Sequence, residues 1–150
     1  MRWPTIRNSS LVLLSIIVAA QFVQPERVNP PVSPERSLWN DRRVDARVGH
    51  ILRRACVDCH SHETTWPWYS KLSPISWMVA RHVVNGRAKL NFSDWSGPSP
   101  DQLEEIYDSI AKKKMPMASY VLMHPDARLS QADREILTAW ADGKLAVNSH

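Results

Sequence analysis

Apolar positions along this chain recur at helical rather than alternating spacing, and strand-like alternation is scarce. Val44, Val48, Ile51, Leu52, Ala55 and Cys59 fall on one face, which predicts an amphipathic helix running without interruption into residues 56–60. Ser73-Pro74 reads as an N-cap followed by proline at the first helical position. The helix it opens carries Trp77, Met78 and Val79 and is expected to stop at Gly86. Ser99-Pro100-Asp101-Gln102 has capping-box spacing and precedes Leu103, Ile106, Tyr107 and Ile110 on one face. Ser130-Gln131-Ala132-Asp133 opens the last helix, with Ile136, Leu137 and Trp140 inside it and Gly143 as terminator. Segments 61–72, 87–98 and 115–129 read as loops. No internal repeat is present. The expected fold is all-α, with about four helices and long loops.

Ahead of these helices the pattern changes twice. Arg2 and Arg7 precede a nearly continuous apolar run, Leu11 to Val23. At thirteen residues the run is shorter than the roughly 20 apolar residues that a membrane span needs. Residues 1–23 therefore read as a signal peptide or N-terminal membrane anchor, with Val18-Ala19-Ala20 as the small residues before a cleavage point. Residues 24–38 hold Pro25, Pro30, Pro31 and Pro34 without periodicity and read as a proline-rich spacer. The folded domain is then expected over 39–143, with a tail at 144–150.

Charge narrows the range of partners. The 150 residues carry a formal net charge of +4 from 19 Lys and Arg against 15 Asp and Glu. Residues 1–20 contain two of the arginines and no acid, so the remainder is close to balanced at +2. The longest basic run is Lys112-Lys113-Lys114, and nucleic-acid binding is not supported.

The chemistry concentrates in Cys56-Val57-Asp58-Cys59-His60, which holds both cysteines of the chain. C-x-x-C-H is the attachment signature of a c-type haem. Two thiols at that spacing add to the haem vinyl groups, and the adjacent imidazole reaches iron from the same turn. His60 is accordingly the expected proximal ligand. For the opposite face of the iron, Met115 ranks first, since Pro116 stiffens the backbone after it and is expected to end the third helix. His124 ranks second and Met117 third. Met78, Met117 and Met123 also have an ordinary reading as flexible core filler. His82 reads as packed or exposed within a helix, His62 lies too close to His60 to reach the opposite face, and His50 is expected to face solvent.

Trp66, Trp68, Tyr69, Trp77 and Trp95 are either general core or walls of a haem pocket. Arg81, Arg87, Lys89 and Asn91 are candidate partners for haem propionates. Lys112 to Lys114 is a solvated helix end whose functional reading is a positive rim that steers an acidic redox partner.

The combined pattern resembles a family of small exported bacterial haem-binding domains related to monohaem c-type cytochromes. The matching stretches are Cys56 to Thr64, Trp66-Pro67-Trp68-Tyr69-Ser70, Pro74 to Trp77, Gly86-Arg87, Leu90 to Trp95, Met115-Pro116, Tyr120 and His124-Pro125, across about residues 40–142. The resemblance implies one covalent haem c, with Cys56 and Cys59 as attachment residues, His60 as proximal ligand and Met115 as axial partner. The family loop tends to read Met-Pro-Pro, whereas here Met117 follows Pro116. The leading expectation is a periplasmic electron carrier, tethered to the inner membrane if the leader is retained. It would need haem-attachment machinery and a redox partner. A haem sensor or peroxidase-like enzyme with His124 as distal base is the alternative. A zinc or thiol-redox site using Cys56 and Cys59 with His60, His62 or His82 is a third.

Overall fold

The computed structural model describes residues 3–145. Arg2 and residues 146–150 of the expected tail lie outside that range. Among the described residues there are seven α-helices and no strand. They are α1 (Trp3–Ala20), α2 (Ala46–Ala55), α3 (Val57–His60), α4 (Ile75–Lys89), α5 (Pro100–Ala111), α6 (Ala118–Met123) and α7 (Gln131–Ala141). The all-α expectation holds.

Helix starts follow local chemistry closely. Asp45 caps α2 by accepting from the Arg47 N–H at 2.8 Å, and a guanidinium–carboxylate pair with the same Arg47 closes the turn. The expected capping box of Ser99 with Gln102 forms on α5, and the expected start of α7 is also a capping box, Ser130 with Asp133. At α4 the cap position falls on Pro74. The Ser73 hydroxyl instead meets Gln24 and Ser76.

Three expectations about helix extent are corrected. The first helix does not run unbroken into the cysteine motif: it breaks at Cys56 (φ −130°), and α3 is a separate turn hung on the Cys56 carbonyl. The break lets α3 follow α4, against which it packs, instead of continuing the line of α2. Gly86 does not end α4, which continues to Lys89 because the glycine serves a helix contact described below. The loop expected at 115–129 contains α6, anchored where the Tyr120 hydroxyl donates to the Asp58 carboxylate at 2.7 Å.

The helix α5 also ends without help from Pro116. Lys113 takes the left-handed conformation (φ 54°), its N–H bonds the Ile110 carbonyl, and the Lys114 N–H bonds the Ser109 carbonyl at 2.9 Å. This is a Schellman cap with lysine in the position that glycine usually fills. Gly143 (φ 67°) makes the same cap on α7.

Helices α2, α5 and α7 enclose the core, with Val48, Ile51, Leu52, Ile110 and Leu137 buried between them. Phe92 and Trp95 from the 90–95 segment complete it, and Trp95 stacks on Trp140 at 6.4 Å. Arg54 crosses from α2 to bond the Asp126 and Arg128 carbonyls and the Asp133 carboxylate of α7.

The proline-rich stretch is not a free spacer. Arg87 donates to the Ser61 and Val28 carbonyls, to Asn29 and to Thr64, so one guanidinium ties α4, the segment after α3 and residues 28–29 together. His62 donates to the Pro31 carbonyl, and the Leu38 N–H bonds the Phe92 carbonyl. Prolines keep residues 25–31 out of a helix and leave their carbonyls free to accept these donors.

Replacing Lys113 by glycine removes the left-handed penalty on a side-chain-bearing residue. It is expected to raise stability by about 0.5–1 kcal/mol in denaturant unfolding. A midpoint at or below that of the parent protein would refute the cap assignment.

Candidate functional site

His60 is held from both its backbone and its ring. The Phe92 N–H donates to the His60 carbonyl at 2.7 Å, and His60 Nδ1 lies 3.1 Å from the Leu90 carbonyl oxygen. A carbonyl only accepts, so Nδ1 carries the proton and Nε2 is left with its lone pair. Burial pushes the imidazole below its ordinary pKa, while the Leu90 carbonyl pulls the other way. The ring is thus a neutral, oriented donor of electron density. That is the state an iron-binding histidine requires, and a backbone carbonyl on its second nitrogen is the usual way to fix it.

The two thiols sit beside it in apolar surroundings. Burial, followed by the neighbouring cysteine, pushes Cys56 up to about 12; burial, followed by Asp58, pushes Cys59 up to about 11. Both stay protonated at neutral pH. Behind them α4 approaches so closely that a Cβ on Gly86 would lie 2.4 Å from the Cys59 carbonyl oxygen. Only glycine fits there.

Two cavities, of about 110 and 240 Å3, share Cys56, His60, Lys89 and Met115 in their walls. The smaller is closed by Ile106 and Ile110 of α5 and Leu137 and Trp140 of α7, together with Phe92. The larger adds Cys59, His82, Gly86, Pro116, Met117 and Tyr120. Met115 reaches this place through the α5 cap, since its N–H bonds the same Ser109 carbonyl as that of Lys114, at 3.1 Å. The cap, more than the following proline, sets its position.

The structure therefore brings Cys56, Cys59, His60, Met115 and Met117 to one cavity and leaves His124 out of it. The Nε2 of His124 hydrogen-bonds the Tyr69 hydroxyl at 2.7 Å, and its ring stacks on Tyr120 at 4.4 Å. It lines a third cavity instead, of about 300 Å3, with Tyr69, Met78 and Met123. Met78 and Met123 are exposed, not core filler. Burial raises the hydroxyl pKa of both Tyr69 and Tyr120, and the Asp58 carboxylate adds to each.

Several secondary expectations also change. Arg87 and Asn91 spend their donors on protein groups, Asn91 on His62, and are not free for propionates. Lys89 stays at the rim of both cavities, paired with Glu105 at 2.7 Å. Trp66 and Trp77 donate to Asn29 and to the Val23 carbonyl, Trp95 is core, and Trp68 is exposed, so Trp140 is the tryptophan that walls the His60 cavity. His50 is exposed, as expected. Among the described residues no group of three or more His, Cys, Asp or Glu side chains is arranged to hold a metal ion, so the zinc constellation is not assembled.

Sequence reasoning set His82 aside, yet it is half-buried in the wall shared by the second and third cavities. Its spacing of four from Gly86 places both on one helix face, and that was the available signal.

A family model described as a haem-binding domain matches residues 15–143, most of the chain. No curated protein and no solved structure gives a significant match.

Gly86→Ala is expected to force α4 away from Cys59 and to lower stability by about 1–3 kcal/mol, the usual cost of an overpacked interface. It should also reduce the haem content of purified protein. Parent-like stability and haem content in that variant would show that the contact relaxes without moving the motif.

Proposed function

The chain belongs to the haem-binding domain family, and from that premise we propose that it holds one haem c through Cys56 and Cys59 and works as a one-electron carrier. The observation that carries this reading is the shared cavity: Cys56, Cys59, His60 and Met115 all stand in the wall of the same space. Haem bound there supplies an iron centre that cycles between ferrous and ferric states, with its potential raised by a thioether ligand.

The chain's residues divide the remaining work. Each thiol would add across one vinyl group, sulfur to one carbon and hydrogen to the other, so attachment would need no oxidant. His60 presents Nε2 as proximal donor because Leu90 holds Nδ1–H. Met115 is the distal ligand of choice. It lines both cavities with His60, whereas Met117 lines one and His124 neither. Leu52, Ile110 and Leu137 give the smaller cavity an apolar wall.

The peroxidase-like alternative needs a distal base, and its candidate, His124, is engaged with Tyr69 away from the His60 cavity. That favours a carrier over an enzyme. We assign the domain to the periplasm, with residues 1–23 as export signal or inner-membrane tether. No described helix is long and apolar enough to cross a membrane. The attachment machinery and an acidic redox partner meeting the Lys112–Lys114 end of α5 complete the reading.

Protein made in a host competent for haem attachment should keep its pigment through acid–acetone extraction, and Cys56→Ser with Cys59→Ser should release it. Colourless protein with two free thiols would sink the proposal. Met115→Ala should abolish the weak long-wavelength ferric charge-transfer band and open the iron to carbon monoxide. Persistence of the band excludes Met115 as ligand.

A further inference from the structure

The third cavity is ringed by apolar side chains that face water. Trp68, Leu72, Ile75, Met78 and Met123 all line it, and they are 69, 45, 41, 47 and 48 % exposed. Four of the five come from the short stretch 68–78. Exposed apolar patches of this kind on a small domain mark contact surfaces.

That same stretch is where the end of α1 is fastened. Gln21 and Ser73 exchange two hydrogen bonds, Nε2 to the Ser73 carbonyl at 3.0 Å and the Ser73 N–H to Oε1 at 3.1 Å. Gln24 donates to the Ser73 hydroxyl, the Trp77 indole donates to the Val23 carbonyl at 2.7 Å, and Arg27 donates to the Ser70 carbonyl. Over residues 11–18 the helix ending at this seam is apolar except at Ser15: Leu11, Val12, Leu13, Leu14, Ile16, Ile17 and Val18 are each between 46 and 60 % exposed. Two apolar surfaces thus meet at one hydrogen-bonded seam, and neither covers the other.

We propose that this face is a membrane-docking surface, on which Trp68 to Met78 and Met123 sit in the interfacial layer of an anionic bilayer. A protein groove of ordinary size would cover the rim or α1. A bilayer covers both at once, because the apolar side chains of residues 11–18 point all round α1. Indole rings favour the headgroup level, where one edge is apolar and the N–H stays wet. Two exposed cations, Lys71 within the stretch and Arg81 one turn beyond Met78 on α4, suit anionic headgroups. The face survives cleavage of the leader before Gln21, since the seam uses Gln21, Val23 and Gln24. Docking through this face would orient the domain on the membrane.

Hydroxyl-radical footprinting of the full chain, with and without phosphatidylglycerol–phosphatidylethanolamine vesicles, tests it. Oxidation of Trp68, Met78 and Met123 should slow several-fold on vesicles, while Tyr107, exposed on α5, reacts at an unchanged rate. Trp68→Ser with Met78→Ser, both at exposed positions, should weaken vesicle partitioning several-fold without changing the far-ultraviolet circular dichroism. Vesicle-bound chain in which Trp68, Met78 and Met123 react as fast as in solution would overturn the proposal. So would vesicle-independent protection that grows with protein concentration, which would identify a second copy as the occupant.

Discussion

The carbonyl of Leu90 on the imidazole of His60 is the contact around which this structure is arranged. It comes from a segment that also bonds the His60 backbone through Phe92 and buries Phe92 in the core. The ring orientation is therefore bound to the integrity of the hydrophobic centre. A histidine on a four-residue helical turn would otherwise have little to hold it, because a single turn is not stable by itself. The turn persists because α4 lies against it at glycine distance and Phe92 closes it from the other side.

Around that point the chain combines rigid local devices with apolar enclosure. The Schellman cap of α5 ends the helix and in the same three residues delivers Met115 to the cavity wall. Its left-handed lysine costs stability that a glycine would not, a small strain at a position where the backbone direction decides where a side chain arrives. The enclosure favours the neutral form of both thiols and of the imidazole, so one environment suits two kinds of group.

The opposite side of the cysteine motif is built differently. Asp58 lies between the two cysteines and receives the Tyr120 hydroxyl and the Thr65 N–H, which ties α6 to α3. His124, Tyr120 and Tyr69 then form a polar seam at the third cavity, with apolar residues outside it. Cys59 lines both this cavity and the one with His60. The motif thus separates two spaces of distinct character, one walled by the core helices and one open to an apolar rim.

Much of the fold was legible without coordinates. Capping boxes, apolar periodicity and a terminal glycine act between residues a few positions apart, so Ser99, Ser130, Gly143 and the Val48–Leu52 face reveal themselves in the string. The motif at 56–60 was equally plain, because two sulfurs and an imidazole at fixed spacing have few other uses. The rest depends on contacts between distant positions. Tyr69 claims His124 across 55 residues, Leu90 orients His60 across 30, and Arg87 straps residues 28 and 29 from nearly 60 away. Nothing local distinguishes Gly86 the helix stop from Gly86 the contact point. Those choices were made by which backbone came near which, and close packing of distant segments is information that only the tertiary structure contains.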